Sequence, residues 1–334
     1  MSGSRLEQQL EFCNRHGWGD ADLFPLPSDA SFRTYTRLIE GDRRAMLMDA
    51  PPEHENLPAY LKFANHLAGL GLRAPEVFAQ DIEAGFALIE DFGNDTFTQL
   101  LKADAGAEKD LYVKATDVLV ALHSAEGATD VDAQLYGEKQ LLAEARLFTD
   151  WFVLAARGSE ATDVEAATFE AAWQVALEHV ARDTSAFVLR DYHVDNLMVI
   201  KDGKGLESCG LLDFQDALLG SPAYDMVSLL EDARRDVSPS TKSAVIARYY
   251  AGMPDINRVQ FETDMAILGA QRHAKVLGIF TRLSRRDDKH IYLKHIPRVA
   301  KLLQQCLRAP ALAGVKQVVE QLVPEYAQAE ITAL

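Results

Sequence analysis

The chain has 334 residues, 48% apolar and 25% charged, a balance that suits a folded protein of two domains or lobes and excludes extended disorder. Thirty-four Lys and Arg against 50 Asp and Glu leave a formal charge of −16, which disfavours nucleic acid and anionic membrane surfaces as partners. Cys13, Cys209 and Cys306 are odd in number and widely spaced, so no disulfide framework or Cys-x-x-Cys metal pair follows and a reducing compartment fits.

The stretch from Met1 to Asn14 is polar, and no apolar run approaches the length of a membrane span; a cytoplasmic location is the default expectation. Phe32, Tyr35 and Leu38, interleaved with Thr34 and Thr36, read as a strand. Gly41-Asp42 turns the chain, and Ala45-Met46-Leu47-Met48 forms the return strand. Pro51-Pro52 ends it, and Leu57 to Leu70 predicts a helix closing at Gly69 or Gly71. Val77-Phe78-Ala79 and Phe86-Ala87-Leu88-Ile89 supply two more strands around Glu83-Ala84-Gly85. Glu90-Asp91-Phe92-Gly93 follows as a hinge or a plain turn.

From Thr96 the pattern is mainly helical. Leu111, Val113, Val118, Leu119 and Leu122 mark one helix and Leu141 to Phe152 another. Ser221-Pro222 predicts a helix over 223–233 with a Ser N-cap and Pro at the first position. Three further helices are expected over 239–251, 258–285 and 297–323.

Chemistry concentrates in Leu189-Arg190-Asp191-Tyr192-His193-Val194-Asp195-Asn196 and in Leu211-Leu212-Asp213-Phe214. Transfer of a phosphoryl group from ATP needs a carboxylate to orient the attacking hydroxyl and oxygen ligands to hold Mg²⁺ against the phosphates. Asp191, Asn196 and Asp213 can supply them: Arg-Asp-x-x-x-x-Asn has the spacing of a kinase catalytic loop, and Asp-Phe-Gln stands where kinases carry Asp-Phe-Gly. Leu197 to Ile200, the polar turn Lys201 to Gly205 and the apolar run before Asp213 read as a hairpin that brings Asp213 back beside Asn196.

These segments, with Ser221-Pro222-Ala223-Tyr224-Asp225, resemble the aminoglycoside phosphotransferase and choline kinase-like family over nearly the whole chain. Ser28 to Arg33, Met48-Asp49-Ala50-Pro51-Pro52 and Gln271 to Phe280 look most like its bacterial cell-wall amino-sugar anomeric kinases, which act on N-acetylmuramate and N-acetylglucosamine. The resemblance implies an α+β, two-lobed protein kinase-like fold. Its small β-rich lobe at 1–92 would bind nucleotide, and its larger, mainly helical lobe at 93–334 would hold the catalytic and substrate groups. It implies ATP as co-substrate, Mg²⁺ and a small-molecule sugar as partner, and leaves the oligomeric state open. Asp191 becomes the catalytic carboxylate, with Asn196 and Asp213 the metal ligands. Arg190, His193 and Asp225 support the catalytic loop, although Asp225 also suits a first helical turn for its charge alone. Ser28, Ser31, Arg33, Glu90 and Asp91 are the nucleotide candidates.

Substrate candidates are Asp216, Arg272, Lys275 and Arg282. If 265–286 is one helix, Arg272, Lys275, Arg282 and Arg286 share a sector of roughly 80°, suited to an anionic ligand or to ion pairs with acidic neighbours. The sequence departs from the family pattern at Leu189-Arg190, where His-Gly is usual. It departs again at Met48, where kinases of the Val-Ala-Ile-Lys pattern carry the phosphate-binding Lys. Arg33, Arg37 and Lys62 are the available substitutes. Two alternatives stay open: a kinase of an aminoglycoside or other small alcohol, and a nucleotide-binding pseudokinase without turnover.

Overall fold

The computed structural model describes residues 4–27 and 32–332. By contact density the chain groups into two units, Met1–Val118 with Val194–Ala217, and Leu119–His193 with Leu218–Leu334. None of its described helices is long and apolar enough to cross a membrane.

The first unit is built on a five-stranded antiparallel sheet of order β1-β2-β3-β5-β4. The strands are β1 (Asp22–Pro25), β2 (Thr34–Glu40), β3 (Arg43–Asp49), β4 (Val77–Asp81) and β5 (Phe86–Ile89). Alternation sorts their side chains onto two faces. Leu38, Ala45, Leu47, Phe86 and Leu88 bury one face against Phe12 and Cys13 of helix α1 (Arg5–Arg15) and against Trp18. The register pairs Tyr35 with Met48, Arg37 with Met46 and Met48 with Ala87, which places those residues on the opposite face. Helix α2 (Leu57–Gly69) starts where Asn56 accepts a hydrogen bond from the Ala59 N–H, with Pro58 in its first turn.

The expected strands and α2 are all present; α1 and β1 are additions. A Ser4/Glu7 capping box starts α1, and β1 is an exposed edge strand where Pro25 is tolerated. Helices α3 (Phe97–Ala103) and α4 (Glu108–Ser124) follow. The unit is completed by an antiparallel hairpin, Leu197–Val199 with Cys209–Leu211, in which Leu197 pairs with Leu211. Leu211 N–H donates to Arg73 O at 2.8 Å and Val199 N–H to Asp95 O at 2.9 Å, which anchors the hairpin beside the end of the sheet. Gly210 permits this approach, since a Cβ there would lie 2.7 Å from the Phe92 ring.

The second unit is helical apart from a two-stranded ribbon of Ala186–Val188 and Leu218–Gly220. Its helices are α5 (Glu138–Ala145), α6 (Leu154–Arg157), α7 (Asp163–Leu177), α8 (Ala223–Leu230), α9 (Pro239–Gly252), α10 (Arg258–Asp287), α11 (Ile296–Cys306) and α12 (Ala313–Leu322). The 30-residue α10 is its spine, packed against α5, α8 and α11. At Gly278 an added Cβ would lie 2.2 Å from Leu147 O, so glycine sets how closely α10 approaches the preceding turn. On the same helix His273 pairs with Glu231 at 2.6 Å, beside Cys306. All three cysteines are buried and unbridged.

Three expectations need correction here, and a further helix was not foreseen. The 141–152 helix stops at Ala145 and continues through a π-helical turn at Phe148–Val153. The 297–323 helix is two, α11 and α12, separated at Pro310, which cannot donate within a helix interior. Helix α8 ends at Leu230 rather than 233, and no side chain caps its start: Ser221 contributes its carbonyl, accepting from Tyr224 N–H at 3.1 Å. Helix α7, opened by a Thr162/Glu165 capping box, was not among the expected elements.

Candidate active site

The candidate catalytic-loop residues leave the ribbon strand 186–188 and turn sharply. Arg190 has φ +68°, a left-handed conformation that an arginine adopts at a cost. The cost is offset by Asp225 in the first turn of α8, fully buried, whose two carboxylate oxygens accept from Leu189 N–H at 2.7 Å and Arg190 N–H at 2.8 Å. A carboxylate taking two backbone N–H groups satisfies donors that burial would otherwise orphan. His193 N–H then donates to Asp191 O at 3.1 Å, closing the loop. Burial lowers the pKa of the His193 ring, which favours the neutral imidazole.

Two cations from α10 face this loop. Arg272 donates to Arg190 O at 3.2 Å and to the Tyr224 hydroxyl at 3.3 Å, and its guanidinium lies 3.7 Å from Asp191 Oδ1. Burial alone would raise the Asp191 pKa; Arg272, and next Lys275, outweigh it and bring it to about 2. The carboxylate is therefore ionised at neutral pH. Lys275 and Arg190 are in turn held by Glu144 of α5, at 2.9 Å and 2.5 Å. Glu144 also accepts from the Tyr136 hydroxyl at 2.5 Å and from Gln271 Nε2 at 3.3 Å. Burial opposes its charge, but Lys275 and Arg190 hold its pKa below the usual range.

In the first unit, the hairpin brings Asn196 and Asp213 together. Leu212 N–H donates to Asn196 O at 3.0 Å, and Asn196 Nδ2 lies 3.4 Å from Asp213 Oδ2. Asp213 has φ +59°, so both halves of the motif turn on a left-handed residue. Phe214 is buried and stacks on Tyr60 of α2 with ring centroids 5.0 Å apart, which fixes the backbone beside Asp213. Gln215 Nε2 donates to Asp213 Oδ1 at 3.0 Å and to Asp216 Oδ2 at 3.2 Å. Arg33, only 8% exposed, donates to Asp213 Oδ1 at 2.6 Å and pairs with Glu55 at 3.5 Å.

The other candidates divide. Ser28 and Ser31 lie outside the described residues. Asp91 pairs with Arg37 at 2.6 Å and accepts from Gly93 N–H at 2.9 Å. Glu90 pairs with Arg73, and its N–H donates to Glu76 O at 2.8 Å, so its carboxylate and its amide donor both serve the segment itself. The basic stripe on α10 splits: Arg272 and Lys275 reach the loop, whereas Arg282, about 15 Å further along at 1.5 Å per residue, shares the field of Arg286 and Asp287. Asp216 is exposed, with Gln215 as a partner. Glu144, Tyr136, Glu55 and Gln215 were missed, because a polar residue within an apolar helical pattern or beside a proline turn carries no mark of its tertiary partner.

Residues 22–261 match the Phosphotransferase enzyme family. The chain belongs to that family. It is similar to the N-acetylmuramate/N-acetylglucosamine kinase of Caulobacter vibrioides, at 34% identity over 97% of this chain and 98% of that protein. It is likewise similar to the enzyme of the same name from Pseudomonas aeruginosa, at 36% identity over 94% and 93%. In fold it resembles an ADP-bound aminoglycoside phosphotransferase, with a TM-score of 0.60 at 16% identity over 91% and 97% of the two chains. A choline kinase from Streptococcus pneumoniae gives 0.60 at 15% identity over 93% and 99%. This phosphotransferase is thus an ATP-dependent kinase of α+β architecture, with a five-stranded antiparallel sheet followed by a mainly helical region. The pseudokinase alternative is set aside.

Proposed function

We propose that this kinase works in the cytoplasm and transfers the γ-phosphoryl group of ATP to the anomeric hydroxyl of an amino sugar, N-acetylmuramate or N-acetylglucosamine. The observation that carries the reading is the near end-to-end match, at 34% and 36% identity, to enzymes named for those two sugars. The likeness to the aminoglycoside and choline enzymes, at 16% and 15% identity, speaks for the fold alone. The charges beside Asp191 agree: Arg272 and Lys275 would repel a polycationic aminoglycoside and favour a neutral or anionic sugar.

In this reading Asp191 accepts a hydrogen bond from the attacking hydroxyl and aims its oxygen at the γ-phosphorus. With its pKa near 2, Asp191 is too weak a base to remove the proton in advance. The proton therefore passes to it late, as the new O–P bond forms, which suits a loose transition state. Asp225 and Glu144 act through others: Asp225 holds the Leu189–Arg190 backbone, and Glu144 holds Arg190 and Lys275. Asn196 and Asp213 offer an amide and a carboxylate within 3.4 Å on one hairpin, an oxygen-donor pair of the kind Mg²⁺ takes alongside substrate phosphates. Bound there, Mg²⁺ would neutralise phosphate charge.

³¹P NMR of the enzyme with Mg-ATP and a panel of N-acetylmuramate, N-acetylglucosamine, choline and aminoglycosides tests the reading. The expected result is an anomeric phosphate signal with the amino sugars that Asp191→Asn does not produce. Product from an aminoglycoside or choline alone would overturn it.

A further inference from the structure

The phosphate-binding lysine of kinases sits on the third strand of the sheet and pairs with a glutamate of the following helix. Here that strand position is Met48, fully buried, which offers neither charge nor donor. A triphosphate carries several negative charges, and Mg²⁺ alone would leave part of them unmatched. The question is which residue of the same sheet face supplies the missing cation.

Register answers it. Tyr35 pairs with Met48, so the two share a face, the one opposite Phe12 and Cys13 of α1. Arg33 lies two residues before Tyr35, in step with that face, and its guanidinium reaches Asp213 at 2.6 Å and Glu55 at 3.5 Å. Glu55 stands two residues before α2, the first helix after the strand of Met48. Arg37, one further step along the face, is committed to Asp91, Asn94 and the Gly93 carbonyl. Lys62 lies 5.2 Å from the centroid of the Phe63 ring, on α2. Arg33 touches a metal-ligand candidate, Asp213, directly.

We propose that Arg33 is the phosphate-binding cation of this kinase, with Glu55 as its anchoring carboxylate, so that an arginine just before the second strand replaces the missing lysine of the third. Arg33 is pre-positioned by Glu55 and by Asp213. Were Asp213 to hold a metal, the guanidinium could exchange that carboxylate for phosphate oxygens, which its planar fork also fits. The pair with Glu55 keeps it in place during the exchange. A guanidinium stays protonated throughout the physiological range, so Arg33 is a cation. The proposal rests on the kinase assignment and is independent of the acceptor.

Calorimetric titration of the full chain with Mg-AMP-PNP and, separately, with adenosine tests it without any acceptor. Arg33→Met should weaken Mg-AMP-PNP binding by about 30-fold or more while adenosine binding stays within about threefold, and Arg33→Lys should recover most of the loss. Introducing Met48→Lys into Arg33→Met should also restore at least about tenfold of the affinity, because it returns a cation to the usual strand position. Arg33→Met binding Mg-AMP-PNP as tightly as the parent would overturn the proposal. So would an equal loss for both ligands without recovery in Arg33→Lys, which marks a structural role. A double variant as weak as Arg33→Met sinks the equivalence of the two positions. Failure of the sugar assignment would instead appear as absent sugar phosphate with Mg-AMP-PNP binding intact.

Discussion

Asp213 and Asp191 are almost equally open to solvent, at 39% and 41% of side-chain surface, yet their counter-charges are arranged differently. Arg33 touches Asp213 at 2.6 Å, with Glu55 as its other carboxylate partner. Arg272 is set back 3.7 Å from Asp191 and is tied down by the Arg190 carbonyl and the Tyr224 hydroxyl. A direct pair can be exchanged for a ligand at little net cost, since one ionic hydrogen bond replaces another. A cation held by neutral groups at a small remove keeps acting through its field whatever binds. The first arrangement suits a carboxylate that must change partners, and the second suits one that must stay ionised.

The most damaging way to break the second arrangement is to remove its charge. Asp191→Asn should lower kcat by about a thousandfold while nucleotide affinity, measured by titration, changes little. Arg272→Met is subtler. With Arg272 gone, the largest stabiliser of the Asp191 charge is lost and its pKa rises from about 2, while the group is ionised only above its pKa. The acid limb of the kcat/KM profile should therefore move to higher pH, whereas the parent stays flat through mildly acidic pH. An unmoved limb would mean that the field of Arg272 does not set the charge of Asp191.

The scaffold behind the comparison can be broken too. Asp225→Ala leaves two buried N–H groups without an acceptor and should cost about 2–5 kcal/mol in urea unfolding. Gly278→Ala forces a Cβ against the Leu147 carbonyl and should cost about 1–3 kcal/mol, partly offset by better helix propensity, with a lower Tm as the readout. Ser4→Ala removes the α1 cap and should cost about 1 kcal/mol or less, measured the same way.

The sheet was legible because its strands alternate and are punctuated: Gly41-Asp42, Pro51-Pro52 and Gly85 mark the turns without tertiary information. The hairpin that joins Asn196 to Asp213 was legible for the same reason. What escaped were choices made by packing. Nothing local separates the π-helical turn at Phe148–Val153 from an ordinary helix, because the apolar spacing of the two is similar over one turn. Helix α1 was announced by Ser4-Arg5-Leu6-Glu7, a signal present in the chain but outweighed by its polar composition. Glu144 escaped for a different reason: its importance lies in four partners, Tyr136, Arg190, Gln271 and Lys275, three of them far from it in sequence. The stripe on α10 said nothing of depth along the axis, so Arg282, beside Arg286 and Asp287, was grouped with Arg272 and Lys275, which lie about two to three turns away.

The burial of all three thiols has a practical consequence. Cys13 lies behind the sheet, Cys209 begins the second strand of the hairpin that carries Asn196, and Cys306 ends α11. Burial raises the pKa of each, that of Cys209 to about 12, so none is a ready nucleophile while the fold is closed. Alkylation can then proceed only through opening. The native chain thus carries three built-in clocks, and timing each thiol's modification by mass spectrometry would reveal whether sheet, hairpin and helical bundle come apart together or in turn.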